Sequence, residues 1–563
     1  MTRVPSTSDS DVVEADERTP LVNGTHAQTK TDEADTAIEN GQSDVLPTSR
    51  ATIVGILSTL MLGVFIASAD SSIVIATSSQ IASEFNRFSE ASWLVTSYSL
   101  AQCACQPLYG KLSDIFGRRS VLVFSYIVFL IGCGLCGIGQ TYWQVIAGRA
   151  ISGVGGAGMN GLVSVIIADM LPIREVAKWR SYVNVVSTVG RSCGGPLGGW
   201  LVDTTGWRWI FLGQCPISAV SILLVAWRLP NLTTPLDSQD QEQRKETFKD
   251  RLRRIDFLGA ALLPSALIAF FVALDFVGKS YQWFYIAPLA GLSLVLTLLF
   301  LYVENYKAVE PVFPLSIVFK RDVLTANALA GLQLAAQFTI FYTTPIYFQV
   351  ITGMSAAAAG SRLILMVVGN MVGGIVAGHL ISRTRHYKVI TTIAVGLGST
   401  CYLLVLIRWR GSTAWYDTAI VILGGFGMGM TQSSSFIHLA ASLTGKEIAI
   451  ASMSWYLSAN IGMLVAANLF NALHNTSLLA FLKQDLREID NADKIIHGAV
   501  SDLEFIRTLP EAIQKLVIHS YVNSLSVTNG RMLNQQYDTA MSLAFGLCSV
   551  VAALTVREHP LAE

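Results

Sequence analysis

Two charged residues, Asp70 and Arg149, stand inside long apolar stretches of this sequence of 563 residues. An ionised side chain in hydrocarbon is costly, so such a residue is paired, neutralised or open to a water-filled path. An acid that takes up and releases a proton, beside an arginine that stabilises its charged form, is the minimum needed to couple proton movement to the movement of another solute. The alternative is a structural ion pair that only joins two helices.

The two residues can meet only if they lie at the same depth. Asp70 follows an apolar stretch that begins near residue 53, and Arg149 follows one that begins near residue 143. At a rise of about 1.5 Å per residue, Arg149 lies about 9 Å and Asp70 about 9–16 Å from the outer ends of their helices. The sequence therefore predicts matching depths.

The composition is that of a membrane protein. Hydrophobic residues make up 52% of the chain and charged residues 14%, whereas soluble proteins carry roughly 25% charged residues. Apolar runs recur along the chain at the length of about 20 residues that a membrane-spanning helix needs. We count about fourteen of them and predict an all-α membrane protein. The net charge of zero argues against a nucleic-acid partner.

Basic residues set the expected orientation, because cytoplasmic loops are enriched in lysine and arginine. With about fourteen crossings both termini lie on one side, and the basic loops place that side in the cytoplasm. The expected organisation is a disordered tail at 1–50, a six-helix bundle at 51–228, a cytoplasmic linker at 229–255, two inserted spans at 256–303, a second six-helix bundle at 304–555 with a non-cytoplasmic loop at 472–540, and a tail at 556–563.

A short charged turn separates two of the apolar runs. Basic residues hold such a hairpin on the cytoplasmic side of the membrane. A simple turn would explain the arginines but neither the glycines nor the acid. The residues concerned are Gly110, Asp114, Gly117, Arg118 and Arg119.

This turn resembles the loop between spans 2 and 3 of the major facilitator superfamily. Ala69–Val74, Arg149–Ala157 and Pro345–Gln349 resemble motifs of its fourteen-span drug:proton antiporter branch, and the resemblance runs from residue 51 to about 471. It implies the major facilitator fold, with two six-helix bundles and two inserted helices. It also implies proton coupling at Asp70 and Arg149, and a cytoplasmic gate at the charged turn.

One departure from the branch narrows the resemblance. The span 5 motif usually reads Gly-Pro-x-x-Gly-Gly, but here Pro196 stands one residue before Gly198 and Gly199. With Gln106–Tyr109, this order is similar to the fungal vacuolar basic amino-acid transporters. The tail residues Glu17, Leu21 and Val22 resemble an acidic dileucine sorting signal, although a chance match is the alternative.

Further residues are candidates for hinge, substrate and modification sites. Small residues in span 5 allow close packing or a bend; they are Gly190, Gly194, Gly195, Pro196, Gly198 and Gly199. Polar residues that would contact substrate, or only join helices, are Asn184, Arg191, Gln333 and Gln337. Asn475 heads the glycosylation sequon on the expected luminal side.

The expected function is proton-coupled antiport of basic amino acids into the vacuole. Efflux of drugs or toxins across the plasma membrane is the first alternative, and a non-transporting nutrient receptor is the second. The expected partners are protons, a small-molecule substrate and the lipid bilayer, with the chain acting as a monomer. We expect neither enzymatic activity nor a cofactor or metal, since the cysteines, including Cys133 and Cys136, lie in or beside apolar runs.

Overall fold

The computed structural model describes most of the chain from residue 50 onward. The described residues are 50–87, 90–230, 256–278, 282–308, 311, 313–352, 354, 356–409, 415–443, 445–487, 489, 492–501, 505–525 and 537–560. The expected sorting residues Glu17, Leu21 and Val22, most of the linker at 229–255 and the side chain of Asn475 lie outside this part.

All regular structure in the described residues is helical. The first half comprises α1 (Arg50–Glu84), α2 (Ser92–Phe116), α3 (Arg118–Ile138), α4 (Tyr142–Met170), α5 (Ile173–Thr205), α6 (Arg208–Leu212) and α7 (Gln214–Arg228). The inserted pair is α8 (Phe257–Gly278) and α9 (Trp283–Tyr306). The second half comprises α10 (Leu315–Val318), α11 (Arg321–Thr352), α12 (Ala356–Ser361), α13 (Leu363–Thr384), α14 (Tyr387–Arg408), a 3-10 turn (Trp415–Ala419), α15 (Ile420–Ala441), α16 (Gly445–Asp485), α17 (Ala492–Ser501), α18 (Phe505–Thr508), α19 (Glu511–Leu525) and α20 (Tyr537–Thr555).

Within the described residues, 11 helical segments are long and apolar enough to cross a membrane, with α6 and α7 together forming one of them. Three more complete the expected number of crossings. The helix α20 is short, and its apolar part is Met541–Thr555. The helices α2 and α5 are long but more polar, because they turn polar side chains such as Gln106 and Arg180 into the protein interior. A helix that lines the interior needs fewer apolar residues than one that faces lipid on most sides.

The helices pack as expected for two bundles and an inserted pair. In the first half α1 packs on α5, and α4 packs on α2 and α3. In the second half α15 packs on α13 and α14, and α11 packs on α16. The inserted helix α8 contacts α2 and α16, whereas α9 packs mainly on α8 and is only 17% buried in its apolar window. The remaining apolar surface of α9 therefore faces lipid.

The segment 472–540, expected to be a loop, is largely helical where it is described. The helix α16 has 41 residues, which is about 60 Å of helix against a hydrocarbon core of about 30 Å. Its outer part carries Leu478 and Leu482, which form a buried cluster with Ile496 of α17 and Val517 of α19. Apolar residues at helical spacing thus build a helical cap (the outer cap, α17–α19 on the end of α16). The expected loop before the last span is therefore helical over much of its described length.

Glycines set the crossing of α13 and α15. A Cβ at Gly425 would lie 1.9 Å from the carbonyl oxygen of Met366, and one at Gly373 would lie 2.1 Å from that of Phe426. The two backbones are in direct contact, the arrangement that small residues permit between membrane helices.

We predict that Gly425→Ala destabilises the protein by about 1–3 kcal/mol, because the added methyl group forces the two helices apart. The measurement is the melting temperature in detergent. Gly396→Ala is the matched control, since a Cβ at Gly396 meets nothing within 4 Å. Equal melting temperatures for the two variants would contradict this account of the crossing.

A polar contact joins the end of α1 to the start of α6. The Glu84 carboxylate accepts hydrogen bonds from Arg208 at 2.7 Å and from the Trp207 indole. The hydrogen bond from Arg208 is the largest of the effects that lower the pKa of Glu84 below its usual value of 4.5. A carboxyl group whose pKa is lower in the folded state adds stability above its unfolded pKa and loses it as the pH falls through the folded value.

We therefore expect Glu84→Gln to lower the melting temperature by a constant amount at neutral and mildly acidic pH. The difference from the wild type should shrink only as the pH falls below 4.5, the usual value for this group. Melting curves across this pH range test the prediction. A difference that instead grows with acidification would show that folding raises the pKa of Glu84 and does not lower it.

Candidate functional site

The expected ion pair is formed in the core of the first half. Arg149 Nη1 donates to Asp70 Oδ2 at 2.7 Å, and the exposed fractions of the two side chains are 1% and 0%. The second carboxylate oxygen accepts from Gln214 Nε2 at 3.1 Å. Arg149 Nε donates to the carbonyl oxygen of Leu94 at 3.2 Å, and the guanidinium lies 4.4 Å from the centre of the Tyr98 ring. Asp70 is thus held by α4 and α7 together.

The glycines of α5 bring α1 close on the other side of Asp70. A Cβ at Gly190 would lie 2.7 Å from the Phe65 carbonyl oxygen, and one at Gly194 would lie 2.6 Å from that of Ala69. Gly198 contacts Ile73, whereas a Cβ at Gly199 would meet nothing within 4 Å and one at Gly195 only Ser72 at 4.0 Å. Three of the expected glycines therefore pack directly on α1. The helix α5 continues through Pro196, and a hinge there stays a prediction.

The charged turn contains one buried arginine and one peripheral arginine. Gly117 joins α2 to α3 with φ +87°, a conformation that favours glycine. Arg118 is buried and donates to Asp114 of α2 and, at 2.8 Å, to Asp169 of α4. Arg119 donates to the carbonyl oxygen of Ala226 in α7. We call the end of the molecule that carries this turn the motif end.

The two halves meet at the motif end. Gly110 is the first contact: a Cβ there would lie 3.1 Å from Met453 and 3.4 Å from the carbonyl oxygen of Ala449, both in α16. Hydrogen bonds follow between polar side chains of the halves, and those among the described residues involve α2, α4 and the first 16 positions of α5. They join Gln106 to Asn460 (2.8 Å), Ser164 and Arg180 to Tyr456 (2.6 Å each), Ser181 to Ser433 (3.3 Å), and Asn184 and Thr188 to Asn370 (2.9 and 3.0 Å).

The substrate candidates separate into three environments. Asn184 lies at the contact between the halves through Asn370. Arg191 is exposed, about 10 Å further along α5 at 1.5 Å per residue, and donates to Ser187 at 2.8 Å. Gln333 and Gln337 are buried inside the second half and do not meet the other two.

The two glutamines bond to neighbouring helices of the second half, and Gln333 bonds to the last span. Gln333 Oε1 accepts from Ser549 of α20 at 3.1 Å, and Gln337 Oε1 accepts from the Tyr402 hydroxyl of α14 at 3.2 Å. Gln333 Nε2 donates to the same hydroxyl at 3.4 Å. This network favours the interhelical role over the substrate role for both residues.

Sequence reasoning missed several residues of these sites. Gln214 stands near the start of an apolar run, and its polarity there was the available signal. Asp169 and Arg180 stand at the ends of apolar runs, yet Arg180 is buried at the contact between the halves. Asn370 and Tyr456 gave no local signal, because their partners lie in the other half.

Comparisons with known proteins identify the family. Residues 60–467 match the family model of the Major Facilitator Superfamily. The chain belongs to this superfamily. It is therefore a multi-pass membrane transporter and not an enzyme, as the sequence predicted.

Solved structures of superfamily members share the fold at low identity. The proton:xylose symporter XylE has a TM-score of 0.54 and 14% identity, covering 90% of this chain and 95% of that one. The human organic anion transporter MFSD10 has a TM-score of 0.55 and 13% identity, covering 89% of this chain and 99% of that one.

Relatives within the superfamily include transporters from fungi. The vacuolar membrane amino acid uptake transporter fnx2 of Schizosaccharomyces pombe is 32% identical over 85% of this chain and 81% of its own length. The multidrug resistance protein fnx1 of the same yeast is 31% identical over 84% and 88%. The vacuolar basic amino acid transporter 2 of Saccharomyces cerevisiae is 26% identical over 77% and 92%. These relatives agree with the expected branch of the superfamily.

The two arginines of the superfamily loop should differ in how much they contribute to the stability of the protein. Arg118→Ala removes the cation that bonds both Asp114 and Asp169. Since both carboxylates are partly exposed, the cost should lie between the ~1 kcal/mol of a surface pair and the ~3–5 kcal/mol of a fully buried one. Arg119→Ala removes only a hydrogen bond to a backbone carbonyl and should cost about 0.5–1.5 kcal/mol. The melting temperature and the amount of folded protein in membranes, measured for the two variants, test this ranking. Equal losses of stability would show that the number of positive charges in the turn, and not the contacts of each arginine, determines its contribution to stability.

Proposed function

We propose that this protein is a proton-coupled antiporter that moves basic amino acids into the vacuole. The observation that carries the proposal is the buried ion pair of Asp70 and Arg149 with Gln214 as third partner. A proton that binds Asp70 removes the negative charge on which this pairing depends. Protonation therefore weakens the contact of α1 with α4, and loss of the proton restores it.

The arrangement of the two halves supports a direction. Their polar contacts run from the motif end along α5 as far as Thr188, whereas Asp70 lies level with Gly190 and Gly194, further along the same helix. With the motif end in the cytoplasm, as the positive residues indicate, protons from an acidic lumen reach Asp70 while the cytoplasmic side is closed. Two relatives bear vacuolar amino-acid transport in their names, which supports the vacuole as location and amino acids as substrates.

Efflux of drugs across the plasma membrane is the second candidate. It is favoured by the multidrug resistance relative, whose identity of 31% is nearly that of the vacuolar relative. The same ion pair would serve either function. A fluorescent fusion separates them by location, and uptake of labelled lysine, arginine, histidine and neutral amino acids into isolated vacuoles with ATP separates them by substrate.

We predict that Asp70→Asn reduces accumulation of labelled lysine in such vacuoles at least about tenfold, because an amide keeps the shape but cannot carry a proton. Asp275→Asn, in the inserted helix α8, is the matched control and should accumulate lysine normally. Size-exclusion profiles confirm that both variants fold. Wild-type accumulation by Asp70→Asn with the same sensitivity to an uncoupler would assign proton coupling to another residue.

A further inference from the structure

Arg180 is a buried cation at the contact between the two halves. Its side chain comes from α5, and the residue is 4% exposed. Nη1 donates to the hydroxyl groups of Ser164 in α4 and Tyr456 in α16. The guanidinium lies 4.2 Å from the ring centre of Phe436 and 5.4 Å from that of Trp455. Its environment consists of aromatic faces and hydroxyl groups.

This arginine differs from the other two buried arginines described above. Arg149 is paired with Asp70, and Arg118 with two carboxylates. No carboxylate of the described residues lies within ion-pair distance of Arg180, and its Nε is buried without a hydrogen-bond partner. A buried cation without an anion is costly, and cation–π contacts offset only part of that cost. The fork of donors on the Nε side is left unused.

Opening the motif end changes this environment. Ser164 and Arg180 belong to the first half, whereas Phe436, Trp455 and Tyr456 belong to the second. Separation of the halves removes the aromatic faces and the Tyr456 hydroxyl but leaves Arg180 on its own half. The guanidinium then faces the opened cavity with most of its donors free.

We propose that Arg180 binds the carboxylate of the substrate when the motif end is open. A guanidinium binds a carboxylate through two parallel hydrogen bonds, and the unused Nε edge provides that geometry. Return of Tyr456 and the aromatic rings on closure competes with the carboxylate and releases it. This inference rests on the proposed function and deepens it. It places a site for the free carboxylate of the substrate at the motif end, the side from which amino acids would be loaded.

The proposal predicts that the protein distinguishes an amino acid from the amine that has the same side chain but no carboxylate. Lysine and cadaverine differ only in the carboxylate, so Arg180 should recognise lysine alone. A residue that only closes the gate would treat both compounds alike. The comparison therefore tests carboxylate binding and not merely a structural contribution.

The experiment uses the purified full-length protein in proteoliposomes for transport and in detergent for melting curves. For Arg180→Gln we expect the KM for lysine to rise about tenfold or more, because a charge-assisted pair of hydrogen bonds is lost, and the KM for cadaverine to stay within about twofold. Arg180→Lys should be intermediate, since lysine keeps the charge but loses the fork. Lys178→Gln, an exposed cation on the same helix, is the control and should match the wild type.

Tyr456→Phe keeps Arg180 and removes the hydroxyl group that competes with the carboxylate, so it should retain the preference for lysine even if Arg180→Gln fails to fold. Equal weakening of lysine and cadaverine in Arg180→Gln, or loss of the preference in Tyr456→Phe, would overturn the proposal. If the wild type is stabilised by lysine and not by cadaverine in melting curves but transports neither, the proposed function fails while the carboxylate site stands. If none of lysine, leucine and glutamate stabilises the wild type more than its decarboxylated amine, the site is wrong.

Discussion

The ion pair between Asp70 and Arg149 is the interaction on which the first half of the transporter depends. Both side chains are buried, so each is tolerated only because the other neutralises it. The glycines of α5 and the partners Gln214 and Tyr98 place helices on every side of the pair. Protonation of Asp70 would change one charge and alter the balance of the whole helix cluster, which is the response that the proposed proton coupling requires.

The sequence predicted much of this arrangement. Asp70 and Arg149 stand out because a charge inside an apolar run is rare and costly, and their depths follow from the constant helical rise. The number of spans follows from run length, although α2 and α5 are more polar than their neighbours. A glycine at position 117 is also predictable. The tight junction between two helices requires a positive φ, here +87°, which a residue without a Cβ adopts most easily.

The contact between the halves was beyond a single sequence. Asn184 and Asn370, or Arg180 and Tyr456, are far apart in the chain, and neither member of a pair signals the other. For Gln333 and Gln337 the sequence left a substrate role and an interhelical role open, since shared spacing on one helix face does not say which neighbour that face meets. Their partners Tyr402 and Ser549 belong to α14 and α20, which only the fold brings beside α11.

The length of α16 gives the molecule a mechanical link between its two ends. One uninterrupted helix contacts Gly110 near Ala449 and reaches the outer cap at Leu482. A helix without a break transmits a tilt along its whole length, so it cannot move away from α2 at one surface and leave α17 and α19 unmoved at the other. A tilt of α16 that opened the motif end would therefore also move the cap at the far surface. Under the proposed function, a compound or antibody bound to the cap would slow transport without reaching the substrate path.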